Sequence, residues 1–266
     1  MEMSLPEFEI AGQKALVVGA GRGIGKGIAL ALAEAGVDVA IVGFTPTHVA
    51  KVAEQIRAMG RSSLPLSGDA TKAADMDEIA RQTLAEFGHV DILVTCVGDS
   101  IRKPVVQLPG TDTPGMTEEE WHHVVNINLT EAFQGCRALG AHFLERRQGC
   151  VINVSGWASF RGRALSSAYD ASKAGVMRFT ESLAQEWAPY GIRVNAIAPG
   201  SFPAPDQMSA EAYQARDEAA KGSVPLGRVG RLKEPGDLAV FLASPAAAYV
   251  TGQTWAVDGG VSIKTP

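Results

Sequence analysis

The chain has 266 residues, of which 46% are hydrophobic and 20% charged, and its formal net charge is -5. This composition is typical of a soluble globular protein and excludes a disordered chain. The acidic balance, with a pI near 5.6, argues against nucleic acid or an anionic membrane surface as a partner.

Targeting and cysteine patterns point to the same class of protein. The first residues show no basic region followed by an apolar segment, and no stretch is long enough to cross a bilayer, so we expect a cytoplasmic protein with no membrane partner. The three cysteines lie far apart and form no CxxC pair, which favours a reducing compartment. The adjacent His122 and His123 would diverge on a helix, and the sequence predicts no metal site.

Short apolar runs alternate with longer amphipathic segments from residue 14 onward. The pattern predicts seven strands, at residues 15–18, 39–42, 63–66, 92–95, 151–154, 194–197 and 254–257. It also predicts six helices, at residues 25–35, 47–59, 73–87, 118–144, 168–190 and 235–242. This alternation predicts an α/β protein in which residues 1–266 form a single domain, a doubly wound (Rossmann) parallel sheet with helices on both faces.

One segment, residues 199–233, interrupts the alternation. It carries four prolines and little apolar periodicity outside residues 208–219, which predicts a long connection after the sixth strand. Such a connection leaves the carboxyl edge of a parallel sheet, where ligands bind. We interpret residues of about 200–232 as a substrate lid; a contact between subunits or plain disorder is the alternative.

A glycine-rich turn follows the first predicted strand. The sequence Gly19-Ala-Gly-Arg-Gly-Ile-Gly25 runs directly into a helical pattern. Glycines let the backbone turn tightly and approach a pyrophosphate, and the free N–H groups of the helix start point at the anion. The strand-turn-helix context therefore predicts dinucleotide binding by Gly19, Arg22, Gly23, Ile24 and Gly25.

The end of the second strand indicates which dinucleotide binds. An acidic residue there would hold the adenosine ribose hydroxyls and repel a 2′-phosphate, but this strand continues through Phe44 and Thr45 without a carboxylate. Arg22, Thr45, Thr47 and His48 offer a positive charge and donors instead. We predict NADP as the cofactor, with NAD as the alternative if Arg22 is merely solvated.

A tyrosine and a lysine lie four residues apart at the start of the fifth helical pattern. Tyr169 and Lys173 share a helix face. A phenol ordinarily has a pKa near ~10, and an ammonium held nearby stabilises the phenolate and lowers that pKa. Tyr169 with Lys173 is therefore a candidate general acid/base, although the same spacing occurs on many solvated helices.

These motifs occur in an order that resembles the short-chain dehydrogenase/reductase family along nearly the whole chain. The further motifs are Asp69 after the third strand, Asn128 in the sequence NINL, Asn195-Ala-Ile-Ala-Pro199-Gly200, and Val257-Asp-Gly-Gly260. The stretch 184–195 looks most like sugar-acid and polyol dehydrogenases of the gluconate 5-dehydrogenase kind, and the chain also resembles 3-oxoacyl reductases.

The resemblance implies roles for particular residues. Asp69 and Ala70 would border the adenine, with Phe44 and Thr45 nearby, and Pro199 and Gly200 would flank the nicotinamide. Cys96 and Gly98 would form the cofactor-facing loop after the fourth strand. Lys173 would also hold the nicotinamide ribose, Asn128 would position a water that links Lys173 to solvent, and Tyr169 would exchange a proton with the substrate oxygen. The family is usually dimeric or tetrameric, so we expect a homo-oligomer.

Three positions depart from the family pattern. The loop after the fourth strand has Thr95-Cys96-Val97-Gly98 where Asn-Asn-Ala-Gly is usual, and a small buried residue is the expected role of Cys96. The threonine that commonly contacts the carboxamide falls on Ala204. The catalytic serine falls on Gly156; Ser155 lies one residue too early, on the opposite face of the strand unless the backbone twists.

The sequence is compatible with more than one substrate and more than one activity. Arg102, Lys103, Arg161 and Arg163 follow strands at the carboxyl edge, which would suit an anionic small-molecule substrate, although exposed arginines are common in loops. We predict an NAD(P)-dependent oxidoreductase that acts on a secondary alcohol or ketone. The alternative is a cofactor-binding sensor or assembly protein whose catalysis has degraded, because Gly156 lacks the hydroxyl group.

Overall fold

All seven predicted strands form, and they lie in one sheet. They are β1 (Lys14–Val18), β2 (Asp38–Gly43), β3 (Ser63–Ser67), β4 (Ile92–Thr95), β5 (Gly149–Val154), β6 (Ile192–Pro199) and β7 (Thr254–Val257). All neighbouring strands are parallel, and their order is β3-β2-β1-β4-β5-β6-β7. The computed structural model describes residues 5–264, so the first four residues, part of the stretch on which the leader prediction rested, and the last two of the predicted domain lie outside the described residues.

Helices cover both faces of the sheet, as the strand-helix alternation predicts. They are α1 (Gly23–Glu34), α2 (Pro46–Ala58), α3 (Ala73–Phe87), α4 (Glu118–Val125), α5 (Glu131–Arg146), α6 (Ser167–Trp187), α7 (Ala210–Ser223) and α8 (Lys233–Ala243). One hydrophobic core packs α1, α2 and α8 against the sheet. A second core packs α3, α5 and α6 against the other face. The doubly wound fold is confirmed.

The helix predicted at residues 118–144 forms, and it contains one π-helical turn. The turn, Asn126–Thr130, separates α4 from α5. Such turns insert one residue into the helical repeat and often occur at functional sites. Here the turn contains Asn128, which is fully buried.

The segment predicted as a long connection contains α7. Ser209 caps this helix by accepting a hydrogen bond from the backbone N–H of Ala212 at 3.2 Å. The apolar periodicity noted at residues 208–219 coincides with this helix, which buries only Ala220; that residue packs with Val224 and Val229 in a small separate cluster. Tyr213 and Asp217 are half-buried and the other residues of the helix are exposed, so its buried face is narrow and no helix was predicted there.

The strand order places a crevice in the middle of the sheet. The chain winds outward from β1 to β3 in one direction and from β4 to β7 in the other, so the order reverses between β1 and β4. Ligands of open α/β sheets bind at the carboxyl ends of the strands at such a switch point. Within residues 5–264, none of the helices is long and apolar enough to cross a bilayer.

Candidate active site

A cleft of about 1150 Å³ opens at this switch point. Every residue predicted to bind the cofactor lines it: Gly19, Arg22, Gly23, Ile24, Gly25, Phe44, Thr45, Asp69, Ala70, Cys96, Gly98, Tyr169, Lys173, Pro199 and Gly200. The sheet therefore brings together residues that lie up to 181 positions apart, since Gly19 and Gly200 line the same cleft. The roles of these residues in binding a cofactor remain a prediction.

The glycine loop fits the backbone of its neighbours closely. Gly19 has a φ of +83°, and a Cβ atom there would lie 2.6 Å from the carbonyl oxygen of Cys96. A Cβ atom on Gly25 would clash with the Gly19 carbonyl group. The loop ends where α1 begins, and the first N–H groups of a helix have no partner within it. This cradle is suited to a pyrophosphate.

The part of the cleft near β2 offers positive charges and donors. Phe44 is 82% exposed, Thr45 immediately precedes α2, and Arg22 and His48 line the same region. Lys72 also lines the cleft, although it was not among the residues predicted to bind the cofactor. A basic residue shortly after the third strand is the feature that could have identified it.

Asp69 is held in its ionised form beside this region. Burial alone would raise the pKa of its carboxyl group, but hydrogen bonds from the side chain and backbone of Thr71 outweigh burial and lower that pKa. The hydroxyl group of Thr71 donates to the carboxylate at 2.7 Å. Asp69 therefore presents a fixed acceptor at the predicted adenine site.

Lys173 lies at the floor of the cleft. Its side chain is buried, and its ammonium group donates to the carbonyl oxygen of Val154 at 3.0 Å and to that of Val97 at 3.4 Å. Burial lowers the pKa of Lys173, and the carboxyl group of Glu131 opposes that shift. The ammonium is thus fixed by backbone carbonyls within the protein.

Tyr169 differs in one respect from the sequence-based expectation. Burial raises the pKa of its phenol above the ordinary value, and the cation that opposes this rise is Arg163 rather than Lys173. The guanidinium group of Arg163 lies 5.6 Å from the centre of the Tyr169 ring. The pKa of Tyr169 is therefore raised overall, contrary to the expected lowering, because burial outweighs the nearby positive charge.

Asn128 lies behind the cleft, not in its lining. Its side-chain amide donates to the carbonyl oxygens of Asp99 at 2.6 Å and Val124 at 2.8 Å. Its amide oxygen is buried without a hydrogen-bond partner in the described part of the chain. A Cβ atom on Gly98 would lie 2.9 Å from that oxygen and 3.4 Å from the Lys173 nitrogen. Asn128 and Lys173 therefore converge on Gly98, and the relay role of Asn128 stays a prediction.

Gly156 lies beside the reacting phenol, as counting back from Tyr169 predicts. A Cβ atom at this glycine would lie 3.4 Å from the Tyr169 oxygen, an ordinary contact. Ser155 points elsewhere: its hydroxyl group is buried and donates to the carbonyl oxygen of Ile197 at 3.2 Å. Ser155 therefore does not replace the missing serine.

Cys96, which follows β4, and the carboxyl end of β6 also line the cleft. Burial raises the pKa of the Cys96 thiol to about 12, so it is a neutral packing group rather than a reactive thiolate. Gly200 donates its N–H to Val257 at 2.9 Å, and a Cβ atom there would crowd the backbone of Asp258. Ala204, which replaces the carboxamide-binding threonine, is buried.

The proposed cluster of cations for an anionic substrate has mostly other partners. Arg163 forms an ion pair with Asp170 at 2.6 Å and stacks over Trp157 at 4.7 Å. Arg161 donates to two backbone carbonyls near the C-terminal end of the described chain, and Lys103 forms an ion pair with Glu120. A contact of these three side chains with a substrate carboxylate stays a prediction.

Two buried groups near the site were missed by sequence reasoning. Asp170 fixes Arg163 against the Tyr169 ring, and Glu131 is fully buried at the start of α5. A charged residue among the small and apolar residues of a helix face, as in Glu131-Ala-Phe-Gln-Gly-Cys136, was the available indication. In residues 5–264, no group of three or more His, Cys, Asp or Glu side chains could hold a metal ion.

Comparison with known proteins agrees with this geometry. The family model described as enoyl-(acyl carrier protein) reductase matches residues 19–262, which span the glycine loop and the Tyr169–Lys173 pair. The 2-dehydro-3-deoxy-D-gluconate 5-dehydrogenase of Escherichia coli is 38% identical over 262 residues, 97% of this chain and 98% of that protein. A 3-oxoacyl-[acyl-carrier-protein] reductase of Synechocystis sp. is 36% identical over 95% of this chain and 98% of that protein.

A solved structure is similar throughout. The gluconate 5-dehydrogenase from Burkholderia cenocepacia, in complex with NADP and tartrate, has a TM-score of 0.87 and 31% sequence identity. The match covers 98% of this chain and 99% of that one. The fold is therefore shared over nearly the whole chain.

Proposed function

Because the chain belongs to the short-chain dehydrogenase/reductase family, and is on that basis an NAD(P)-dependent oxidoreductase, we propose that it interconverts a ketone and a secondary alcohol of a sugar acid and prefers NADP. The observation that carries the proposal is the single cleft that contains both the glycine loop and the Tyr169–Lys173 pair. One bound dinucleotide could reach from the first to the second.

The cofactor preference follows from the charges around the β2 end of the cleft. Arg22, His48 and Lys72 line this region together with Thr45. Three cationic or protonatable side chains and one hydroxyl suit a 2′-phosphate. The glycine loop would hold the pyrophosphate, Asp69 and Ala70 would border the adenine, and Pro199 with Gly200 would border the nicotinamide.

When bound, the nicotinamide supplies or accepts the hydride. Tyr169 supplies the proton: burial raises its pKa, so the phenol is protonated at neutral pH and can donate to a ketone oxygen. Lys173 provides a buried positive charge one helical turn away, which stabilises the phenolate left behind. Asn128, whose amide oxygen is buried near Lys173, would connect this charge to solvent.

A sugar acid is the substrate class that the relatives support best. One relative acts on 2-dehydro-3-deoxy-D-gluconate by name, and the similar solved structure contains tartrate. The cleft is also lined by polar groups next to the predicted nicotinamide site, Asp99, Ser100, His123 and Asn126. Of the four cations considered for the carboxylate, Arg102 is the one that we propose, since it is exposed at this edge.

The alternative of a cofactor-binding protein without catalysis gains no support. The relatives are named as oxidoreductases, and Asn128, Tyr169 and Lys173 are all present and adjacent. Losing one oxyanion-type donor costs about 10²- to 10³-fold in rate, which slows an enzyme without abolishing it. We therefore propose a working enzyme with a weakened site for the substrate oxygen.

The lid and the oligomer are proposed on separate observations. Asp206 in the segment of residues 200–232 forms an ion pair with Lys26 of α1 at 2.6 Å, and Gln207 lines the cleft. The segment can therefore cover the site. Trp121 of α4 and Phe133 of α5 are exposed apolar side chains, which supports a homo-oligomeric contact through these helices.

A nicotinamide absorbance assay tests the proposal. Purified protein is supplied with NADPH or NADH against keto sugar acids, simple ketones and 3-oxoacyl thioesters. We expect oxidation of NADPH by a keto sugar acid, and its loss in Tyr169→Phe. Arg22→Ala should weaken NADPH binding by about tenfold or more and leave NADH binding unchanged. Tight NADPH binding without turnover of any substrate would favour the non-catalytic alternative.

A further inference from the structure

Glu131 is a buried carboxyl group in an unusual position. Its side chain is 1% exposed, and neither carboxyl oxygen has a hydrogen-bond partner in the described part of the chain. Burying an ionised carboxylate without partners is strongly unfavourable. A buried carboxyl group of this kind must either be protonated, and therefore neutral, or lie near a compensating positive charge.

The candidate compensating charge is Lys173. Both side chains approach the peptide backbone at Val97: the Lys173 ammonium donates to the Val97 carbonyl oxygen at 3.4 Å, and the Val97 N–H lies near the Glu131 carboxyl group and favours its ionised form. Glu131 also begins α5 three residues after Asn128, whose unpartnered amide oxygen lies near Lys173. All three side chains are buried.

The other titratable groups that face Glu131 do not titrate near neutral pH. They are the thiols of Cys96, after β4, and Cys136, on α5. Burial raises the pKa of Cys96 to about 12 and raises the pKa of Cys136 still further from its ordinary value. Lys173, on α6, is thus the partner whose charge responds to Glu131.

Burial acts on the two groups in opposite directions. It raises the pKa of Glu131 to about 8, with the Lys173 charge opposing the rise. It lowers the pKa of Lys173, with the Glu131 charge opposing the fall. At neutral pH the pair carries a neutral carboxyl group beside an ammonium, and a rise in pH removes one proton from the pair.

We propose that Glu131 is a positioning residue for the acid/base chemistry: it gives up its own proton as the pH rises and so keeps Lys173 charged below Tyr169. In a variant without the Glu131 carboxyl group, the proton released as the pH rises comes from Lys173 instead. The charge on Lys173 matters more in this chain than in one with a serine at position 156, because Gly156 offers the Tyr169 oxygen no hydroxyl donor. The inference rests on the proposed role of Lys173 in catalysis.

Infrared spectroscopy tests the protonation of Glu131 without any substrate. Most carboxyl groups ionise near ~4, so a protonated carboxyl band that persists at pH 7 reports a buried acid. We expect wild-type protein to show this band at pH 7 and lose it near pH 8, and Glu131→Gln to lack it throughout. A spectrum without the band at pH 7, or a band that survives in Glu131→Gln, overturns the proposal even if no substrate has been found.

The pH profile of kcat/KM for ketone reduction tests the effect on Lys173. In Glu131→Gln the alkaline limb should move to lower pH by about 1 unit or more, since an opposite charge nearby shifts a pKa by ~1–3 units. Glu131→Asp keeps the carboxyl group and should restore the limb toward its wild-type position. A merely structural role would change kcat without moving the limb, and that result overturns the proposal.

A matched control is available on the same helix. Glu145 lies near the end of α5 and is exposed, so Glu145→Gln should leave both the infrared band and the pH profile unchanged. Fluorescence titration with NADPH shows that each variant is folded and binds the cofactor. If Glu131→Gln fails to fold, the Glu131→Asp profile decides, because a shorter carboxyl group farther from Lys173 should still move the limb downward by a measurable fraction of a unit.

Discussion

At the scale of single residues, the site is defined as much by Gly156 as by Tyr169. The glycine has an extended backbone, with φ of 174° and ψ of 158°, which any residue can adopt. A Cβ atom there would lie 3.4 Å from the Tyr169 oxygen and 3.9 Å from the Lys173 side chain. The position therefore has room for a hydroxyl group next to the reacting phenol.

This space predicts the effect of Gly156→Ser. A serine hydroxyl could donate to the substrate oxygen, and a donor of this kind is worth about 10²- to 10³-fold in rate. We expect kcat to rise by about tenfold or more with little change in stability. Steady-state kinetics with the preferred substrate measure it, and Gly162→Ser, at an exposed glycine with nothing within 4 Å, is the control. An unchanged kcat would show that the substrate supplies its own hydrogen bond.

Single residues also show which features of the site could be predicted from the sequence and which could not. The Tyr169–Lys173 pair and the glycine at position 156 could be predicted because each depends on spacing along the chain. The partners of Arg163 and Glu131 could not, because they depend on side-chain direction after folding. Arg163 turned toward Asp170, not toward the open cleft, and Glu131 turned inward where the π-helical turn rotates the start of α5.

At the scale of elements, the glycine loop and α1 form one rigid unit. Gly25 packs against the Gly19 carbonyl group, and Gly27 packs against the backbone of Leu232 just before α8. Side chains at either position would separate α1 from its neighbours. The helix start is thereby fixed in the position where its free N–H groups can meet a pyrophosphate.

This packing predicts that Gly25→Ala damages nucleotide binding. The new Cβ atom must displace the Gly19 carbonyl group, and overpacking of this kind costs about 1–3 kcal/mol. We expect the Kd for NADPH, measured by fluorescence titration, to rise by about tenfold or more. Gly222→Ala is the matched control in α7, where nothing lies within 4 Å; it should leave the Kd unchanged and stabilise the protein by up to about 1 kcal/mol. Equal Kd values for the two variants would contradict this role of Gly25.

Elements were predictable in proportion to what they bury. The inner strands carry near-continuous apolar runs because both faces are covered, whereas the edge strands β3 and β7 are less buried. The positions of all seven strands followed from the sequence to within a few residues. Helix α7 buries only Ala220, and the short apolar periodicity at residues 208–219 was not enough to predict it as a helix. The π-helical turn also escaped detection, since a one-residue insertion hardly alters the spacing of apolar residues over a long helix.

At the scale of the whole molecule, the strand order places the predicted cofactor-binding residues and the proposed acid/base residues in one cleft. The reversal of strand order between β1 and β4 opens the sheet edge, and the same edge receives the ends of β2, β5 and β6. The residues predicted to bind the cofactor, most of them in the first half of the chain, and the proposed acid/base pair in the second half therefore meet in this cleft. The buried Glu131–Lys173 pair lies beneath that meeting point and links the chemistry to the stability of the whole fold.

This link predicts how global stability depends on pH. Burial raises the pKa of Glu131 from its ordinary value of 4.5 to about 8 in the folded protein. Between these two values the folded state binds more protons than the unfolded state, so the free energy of unfolding falls as the pH rises through this window. Glu131→Gln removes this contribution, because the amide never ionises.

We therefore expect the stability advantage of Glu131→Gln over wild type to grow between pH 5 and pH 8.5, by an amount on the order of 1–3 kcal/mol. Urea unfolding at a series of pH values measures the difference, and Glu145→Gln should follow the wild-type curve throughout. The sign is the decisive feature: a carboxylate fully paired with Lys173 would have a lowered pKa, and its removal would then cost stability at high pH. An advantage that stays constant or shrinks as the pH rises would thus show that Glu131 is ionised at neutral pH.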